Sequence, residues 1–125
     1  MEKKLILKPN TDVKNMVIAP GCQAGKLLFV SGSAGAKDGS LGIGIEAQAR
    51  QAMENLGEVL EAAGTSWDKV VKVGCFLVQA SRDFGGWNNV FKEYFPKNPP
   101  ARTTVGASIA MEGALIEVEL IAIVD

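Results

Sequence analysis

The stretch Ala114–Val124, ALIEVELIAIV, decides the fold. Its end, Leu120–Val124, is apolar at every position, so a strand here carries apolar groups on both faces. Before it, Glu117 and Glu119 alternate with Ile116, Val118 and Leu120. Strand alternation puts both carboxylates on one face. Two carboxylates on an apolar strand are costly if buried unpaired, so they need a partner, water or a chemical task. The strand alone leaves open which glutamate, if either, has that task.

Working outward, Ala101–Ser108 reads as a second strand, entered from the proline-rich Pro96–Pro100 (PKNPP), which ends a helix. That helix spans about Phe84–Phe95. Phe84, Trp87, Val90, Phe91, Tyr94 and Phe95 are its expected buried face, and Ser81 or Asp83 its expected N-cap. Lys69–Val78 (KVVKVGCFLV) reads as a strand. From Ile45 to Ala63 apolar residues recur every three or four positions, which predicts a long amphipathic helix. Gly64 is placed to stop it in a left-handed conformation, and Gly57 marks a weak point or a close backbone approach. Lys26–Ser31 (KLLFVS) is a buried strand leading into SGSAGAKDGSLG, a glycine- and serine-rich loop. The order is two or three strands, helix, strand, helix, two strands. It predicts one α+β domain over residues 1–125, with a sheet covered on one face by two helices. Two helices cannot cover both faces, and an exposed apolar sheet face predicts self-association.

Composition limits the chemistry. The chain has no histidine. That excludes histidine-based triads, histidine metal sites and the usual general base. Acid–base work then falls to carboxylates, lysine, tyrosine, cysteine or held water. The formal net charge is −1, which argues against a phosphate-contacting nucleic-acid binder. No segment approaches membrane-spanning length, and the basic start lacks a signal-peptide core, so a cytoplasmic location is expected. Cys22 and Cys75 read as reduced thiols, with Cys75 in the core. Arg102, at a strand start, offers a planar fork for a carboxylate; a plain ion pair is the competing reading. Ser31-Gly32 closes a strand where a ligand can approach the backbone, or where the chain simply turns. Asn88 bonds across an interface or faces water.

Taken together, AGKLLFVSG (Ala24–Gly32), RQAMENLGEVLEAAG (Arg50–Gly64), DKVVKVGCFLV (Asp68–Val78), WNNVFKEYF (Trp87–Phe95), PARTTV (Pro100–Val105) and ALIEVELIAIV resemble the Rid family (YjgF/YER057c/UK114), in family order over about Met16–Val124. The resemblance implies the chorismate-mutase-like (YjgF) fold: a mostly antiparallel six-stranded sheet, two helices on one face, and a homotrimer with a barrel-like core and clefts between subunits. It implies that Arg102 of the PAR motif holds a substrate carboxylate. It implies that Glu117, fifteen positions on, orients or activates water. Ser31 and Gly32 match the VSG segment, and Thr104 stands where cysteine is common and lines the cleft. Ile18 is read in place of a tyrosine found in a PYS-type segment before VSG.

The activity implied is hydrolysis of 2-imino or 2-enamino acids to 2-oxoacids and ammonia, with no metal or organic cofactor and a carboxylate-bearing imine as substrate. A specialised catabolic deaminase (2-aminomuconate-like substrate) and a non-catalytic ligand-binding or chaperone-like trimer are the alternatives. An apolar Ile18 wall would favour larger aliphatic or unsaturated side chains over small polar ones.

Overall fold

The computed structural model describes the whole chain, Met1–Asp125. In chain order its elements are β1 (Lys3–Ile6), β2 (Gly21–Ala24), β3 (Leu27–Ala34), β4 (Ala36–Lys37), β5 (Ser40–Leu41), α1 (Ile45–Ala62), β6 (Val70–Leu77), α2 (Ala80–Tyr94), β7 (Ala101–Gly106) and β8 (Ile116–Ile123). Six strands form one sheet in the order β1-β2-β3-β8-β6-β7. Four neighbouring pairs are antiparallel, and β6–β7 is parallel. The sheet is therefore mixed. The parallel pair follows from connectivity: α2 is the crossover that returns the chain to start β7 beside the start of β6. The architecture is α+β with both helices on one face, as the element order predicts.

The apolar stripe of α1 is the reason it lies where it does. Ala49, Ala52, Met53, Leu56, Val59 and Leu60 are buried against Leu28 and Val30 of β3 and Val118, Leu120 and Ala122 of β8. Trp87, Val90 and Phe91 of α2 cover Val73, Cys75 and Leu77 of β6. Gly64 stops α1 at φ +78°, a conformation glycine adopts without strain. Gly57 marks a close approach, since a Cβ there would stand 3.4 Å from the Trp67 ring.

Several boundaries differ from the sequence reading. α2 starts at Ala80, one turn before Phe84, with Gln79 at the N-cap and no side-chain cap bond. Asp83 lies inside the first turn, is 4% exposed, and accepts bonds from Arg82 at 2.8 and 3.0 Å. Phe84 is 43% exposed and not core. The glycine-rich loop holds the last residues of β3 and the small β4–β5 hairpin. A buried amide ties these loops together. Gln48 donates to the carbonyls of Gly42 (3.0 Å) and Gly113 (3.3 Å) and accepts from the Leu115 N–H (2.7 Å).

The second face of the sheet has no cover within the chain. Leu5, Leu27, Phe29 and Val105, all on that face, are 42–44% exposed. They flank Ile121, Ile123 and Phe76, which are half-buried. No helix is long and apolar enough to cross a membrane.

Candidate active site

The residues singled out from the sequence fall into two groups on opposite faces of the sheet. The first surrounds Arg102. Its register partner on β6 is Val73, which is fully buried and faces the helices. Arg102 therefore also points to the helix side. There its guanidinium lies over the rings of Phe91 (4.7 Å to the centroid) and Phe84 (5.5 Å). Arg102 takes part in no ion pair and no side-chain hydrogen bond. Aromatic faces hold an arginine by cation–π attraction without using its donors. The N–H fork stays free in a groove of about 330 Å³ lined by Asn88, Phe91, Lys92, Phe95, Pro99 and Arg102. The ion-pair reading of Arg102 fails within the chain.

Thr104 follows Arg102 on the same side of β7, in register with buried Cys75. The Thr104 hydroxyl and the Trp87 indole N–H are both buried without a hydrogen-bond partner. Both lie near the Cys75 thiol, a weak hydrogen-bonding group. Burial pushes the Cys75 thiol upward, opposed by Thr104, the Arg102 charge, Trp87 and Lys72. A thiol held protonated and enclosed is a poor nucleophile. In a Cys22→Ser variant, native protein should therefore show no fast thiol reaction with a disulfide reagent, and one thiol after denaturation. Fast native labelling would show that Cys75 is open and activated.

The second group surrounds Glu117. Its partner on β6 is Phe76, and both point to the uncovered face. The ladder between β3 and β8 slips between Val30 and Ser33, which takes Ser31 and Gly32 out of register. Glu117 pairs with Ala34 just beyond the slip and its side chain reaches back over Gly32, whereas Glu119 is the β8 residue opposite the slip. A Cβ on Gly32 would stand 3.1 Å from the Glu117 carboxyl carbon, so the carboxylate rests directly on this backbone and a side chain there would push it aside. Glu119, two residues on, lies over Gly74 in the same way, at 3.1 Å from its Cγ. Neither glutamate has a basic partner.

Ser31 is a clamp. Its hydroxyl donates to the Ala19 carbonyl (2.6 Å) and its N–H to the Pro20 carbonyl (3.0 Å). This draws the 18–20 segment beside β3, so that Ile18, Ser31 and Gly32 line one cavity of about 190 Å³ with Asn55 and Val59. Asn55 fixes the far side by donating to Ser33 Oγ and the Ala34 and Ala36 carbonyls. Ile18 is 68% exposed at the rim. Gly21 faces the core, where a Cβ would stand 2.8 Å from Val59 Cγ1.

Arg102 and Glu117 are two strands apart, roughly 10 Å across the sheet, and on opposite faces. One chain does not bring them together. No group of histidine, cysteine and carboxylate side chains able to hold a metal is formed. One residue that the sequence reading passed over belongs to the arginine groove. Lys92 stands one helical turn after Asn88, a spacing that places both on one face of α2.

Comparison with known proteins gives the family of the chain. The sequence model of the family described as "Endoribonuclease L-PSP" matches residues 16–124. The mitochondrial protein mmf2 of Schizosaccharomyces pombe is 46% identical over 104 residues, 80% of this chain and 82% of that protein. A 2-iminobutanoate/2-iminopropanoate deaminase of Rattus norvegicus is 38% identical over 101 residues, 78% and 73% of the two chains. The crystal structure of YyfA from Yersinia pestis, a protein of the conserved Rid family, superposes with a TM-score of 0.89 at 32% identity, over 98% of this chain and 100% of that one. The chain belongs to the YjgF/Rid family.

Proposed function

We propose that the protein hydrolyses 2-imino or 2-enamino acids to 2-oxoacids and ammonia, in a site completed by two protomers. The observation that carries this reading is the unpaired Arg102 fork, held on two aromatic rings in a groove with no acid. Such a group is built to receive a carboxylate from outside the chain. The deaminase name of the rat relative supports the reaction class.

The steps follow from the groups present. The substrate carboxylate docks on Arg102. Water beside Glu117 gives a proton to that carboxylate as its oxygen adds to the C=N carbon. The imine nitrogen enters protonated from solvent, so water addition moves the C=N electron pair onto nitrogen and gives the neutral amino-alcohol adduct. Glu117 then passes its proton to the amine nitrogen. The C–N bond breaks and ammonia leaves as the Glu117 carboxylate takes the hydroxyl proton of the adduct, whose oxygen becomes the carbonyl, and Glu117 returns that proton to solvent. Positioning and one proton shuttle suffice for a substrate that already hydrolyses in water. Thr104 backs the arginine groove, Gly32 lies under Glu117, and Ile18 and Ser31 line the cavity that adjoins Gly32.

Because one chain separates Arg102 from Glu117, the reading requires that a second copy bring its Glu117 surface to the Arg102 groove. The uncovered apolar face is the surface for that association, and a closed homotrimer is the assembly we propose. Phe29→Asp should test it. The substitution puts an uncompensated charge at the centre of the contact, beside Ile121. Sedimentation at micromolar concentration should then show monomer, with unchanged helix signal in circular dichroism. Wild-type protein sedimenting as a monomer would remove the assembly from the reading. The activity itself is tested by ammonia release from imines generated in place from a panel of amino acids. No release above the uncatalysed rate for any of them would end the deaminase reading.

A further inference from the structure

The Arg102 groove holds two cations, and nothing in the chain neutralises either. Its lining is Asn88, Phe91, Lys92, Phe95, Pro99 and Arg102, without an aspartate or glutamate. None of the five ion pairs of the protein involves Arg102 or Lys92. The acid next to Lys92 in sequence, Glu93, is committed elsewhere: it faces Arg50, which reaches it at 2.6 Å and also contacts Glu46. Lys92 thus stands on the groove side of α2, with the neutral amide of Asn88 one turn before it and the stacked Arg102 below. A ligand with one carboxylate satisfies Arg102 and leaves Lys92 without a counter-charge. A ligand with a second anionic group satisfies both. The four-carbon stem of lysine lets its ammonium follow that group over a range of chain lengths.

We infer that Lys92 is a specificity residue, and that the preferred substrate is an imino acid bearing a second carboxylate on its side chain. This rests on the deaminase reading for the reaction, but the charge pairing itself can be measured without turnover. Two arms are needed. In the first, kcat/KM is compared for imines generated in place from glutamate and from leucine. The ratio should favour the dianion by roughly five- to tenfold at low salt, the scale of one partly exposed charge-assisted contact. Lys92→Met should bring the ratio to near one, and Lys92→Arg should restore most of it. Added salt should shrink it in the wild type. A structural role for Lys92 would move both substrates together and leave the ratio alone. In the second arm, calorimetry compares binding of the two product-shaped ligands, 2-oxoglutarate and 4-methyl-2-oxopentanoate. Tighter binding of the dianion, lost in Lys92→Met, supports the two-charge groove even if no imine is turned over. Equal binding of both ligands by the wild type, or a preference that survives Lys92→Met, overturns it.

Discussion

Arg102→Ala is expected to lower kcat/KM for carboxylate-bearing imines by roughly 10²–10³-fold, the equivalent of about 3–4 kcal/mol. The magnitude follows from the setting. The guanidinium rests on Phe91 and Phe84, so its fork is fixed in place before a ligand arrives. Little side-chain freedom is then lost on binding, and a two-point contact to a carboxylate is worth more than an exposed ion pair. Arg102→Lys should recover little, because an ammonium is a point charge that cannot present two parallel donors and stacks less well on the rings. Folding should survive both changes. Arg102 sits on the edge strand β7, and its loss breaks no hydrogen bond and no ion pair within the chain. What disappears is cation–π contact of about 0.5–2 kcal/mol. Steady-state kinetics together with a melting curve decide the matter. Near-normal turnover in the alanine variant would show that the arginine is structural.

Glu117→Gln should lower kcat by about 10²–10⁴-fold with a smaller effect on KM, since the amide keeps the shape of the group but accepts no proton. Glu119→Gln serves as the comparison. Both glutamates rest on a glycine of the next strand and point the same way. Glu117 is the one that lies over Gly32, next to Ser31, while Glu119 stands opposite the slip in the β3–β8 ladder and lies over Gly74 on the other side. A larger loss in the Glu119 variant would move the water-activating role two residues along the strand. The Glu117 variant also tests where the site is. Arg102→Ala and Glu117→Gln proteins can be mixed, dissociated and reassociated. If each site takes Arg102 from one copy and Glu117 from a neighbour, random mixing leaves about one site in four intact in a closed ring. Activity should return to roughly a quarter of the wild-type value. A site within one chain would stay dead in every mixture.

Much of the fold was legible because its strongest signals are local. The α1 stripe, the Gly64 stop, the apolar core of β6 and the alternation of β8 each follow from the spacing of side chains along a regular backbone. β1 and β2 were not legible as separate strands. They are four residues each and stand only because they pair with one another and with β3. The start of α2 was misread because Gln79 makes no cap bond, and the acid taken for a cap is spent on Arg82 inside the first turn. Phe84 was read as core from its periodicity. Its ring is instead half-exposed over Arg102, a role that helical spacing cannot distinguish from burial.

The sequence by itself determined an α+β fold with a half-uncovered sheet and no histidine chemistry, and it singled out Arg102 and Glu117 by family resemblance. Alternation tells which residues of one strand share a face. It does not tell which face of one strand matches which face of another, because that depends on hydrogen-bonded register between segments far apart in the chain. Only the tertiary structure decided that Val73 carries Arg102 to the helix side while Phe76 carries Glu117 to the bare side. The separation of the two groups on opposite faces follows from that pairing.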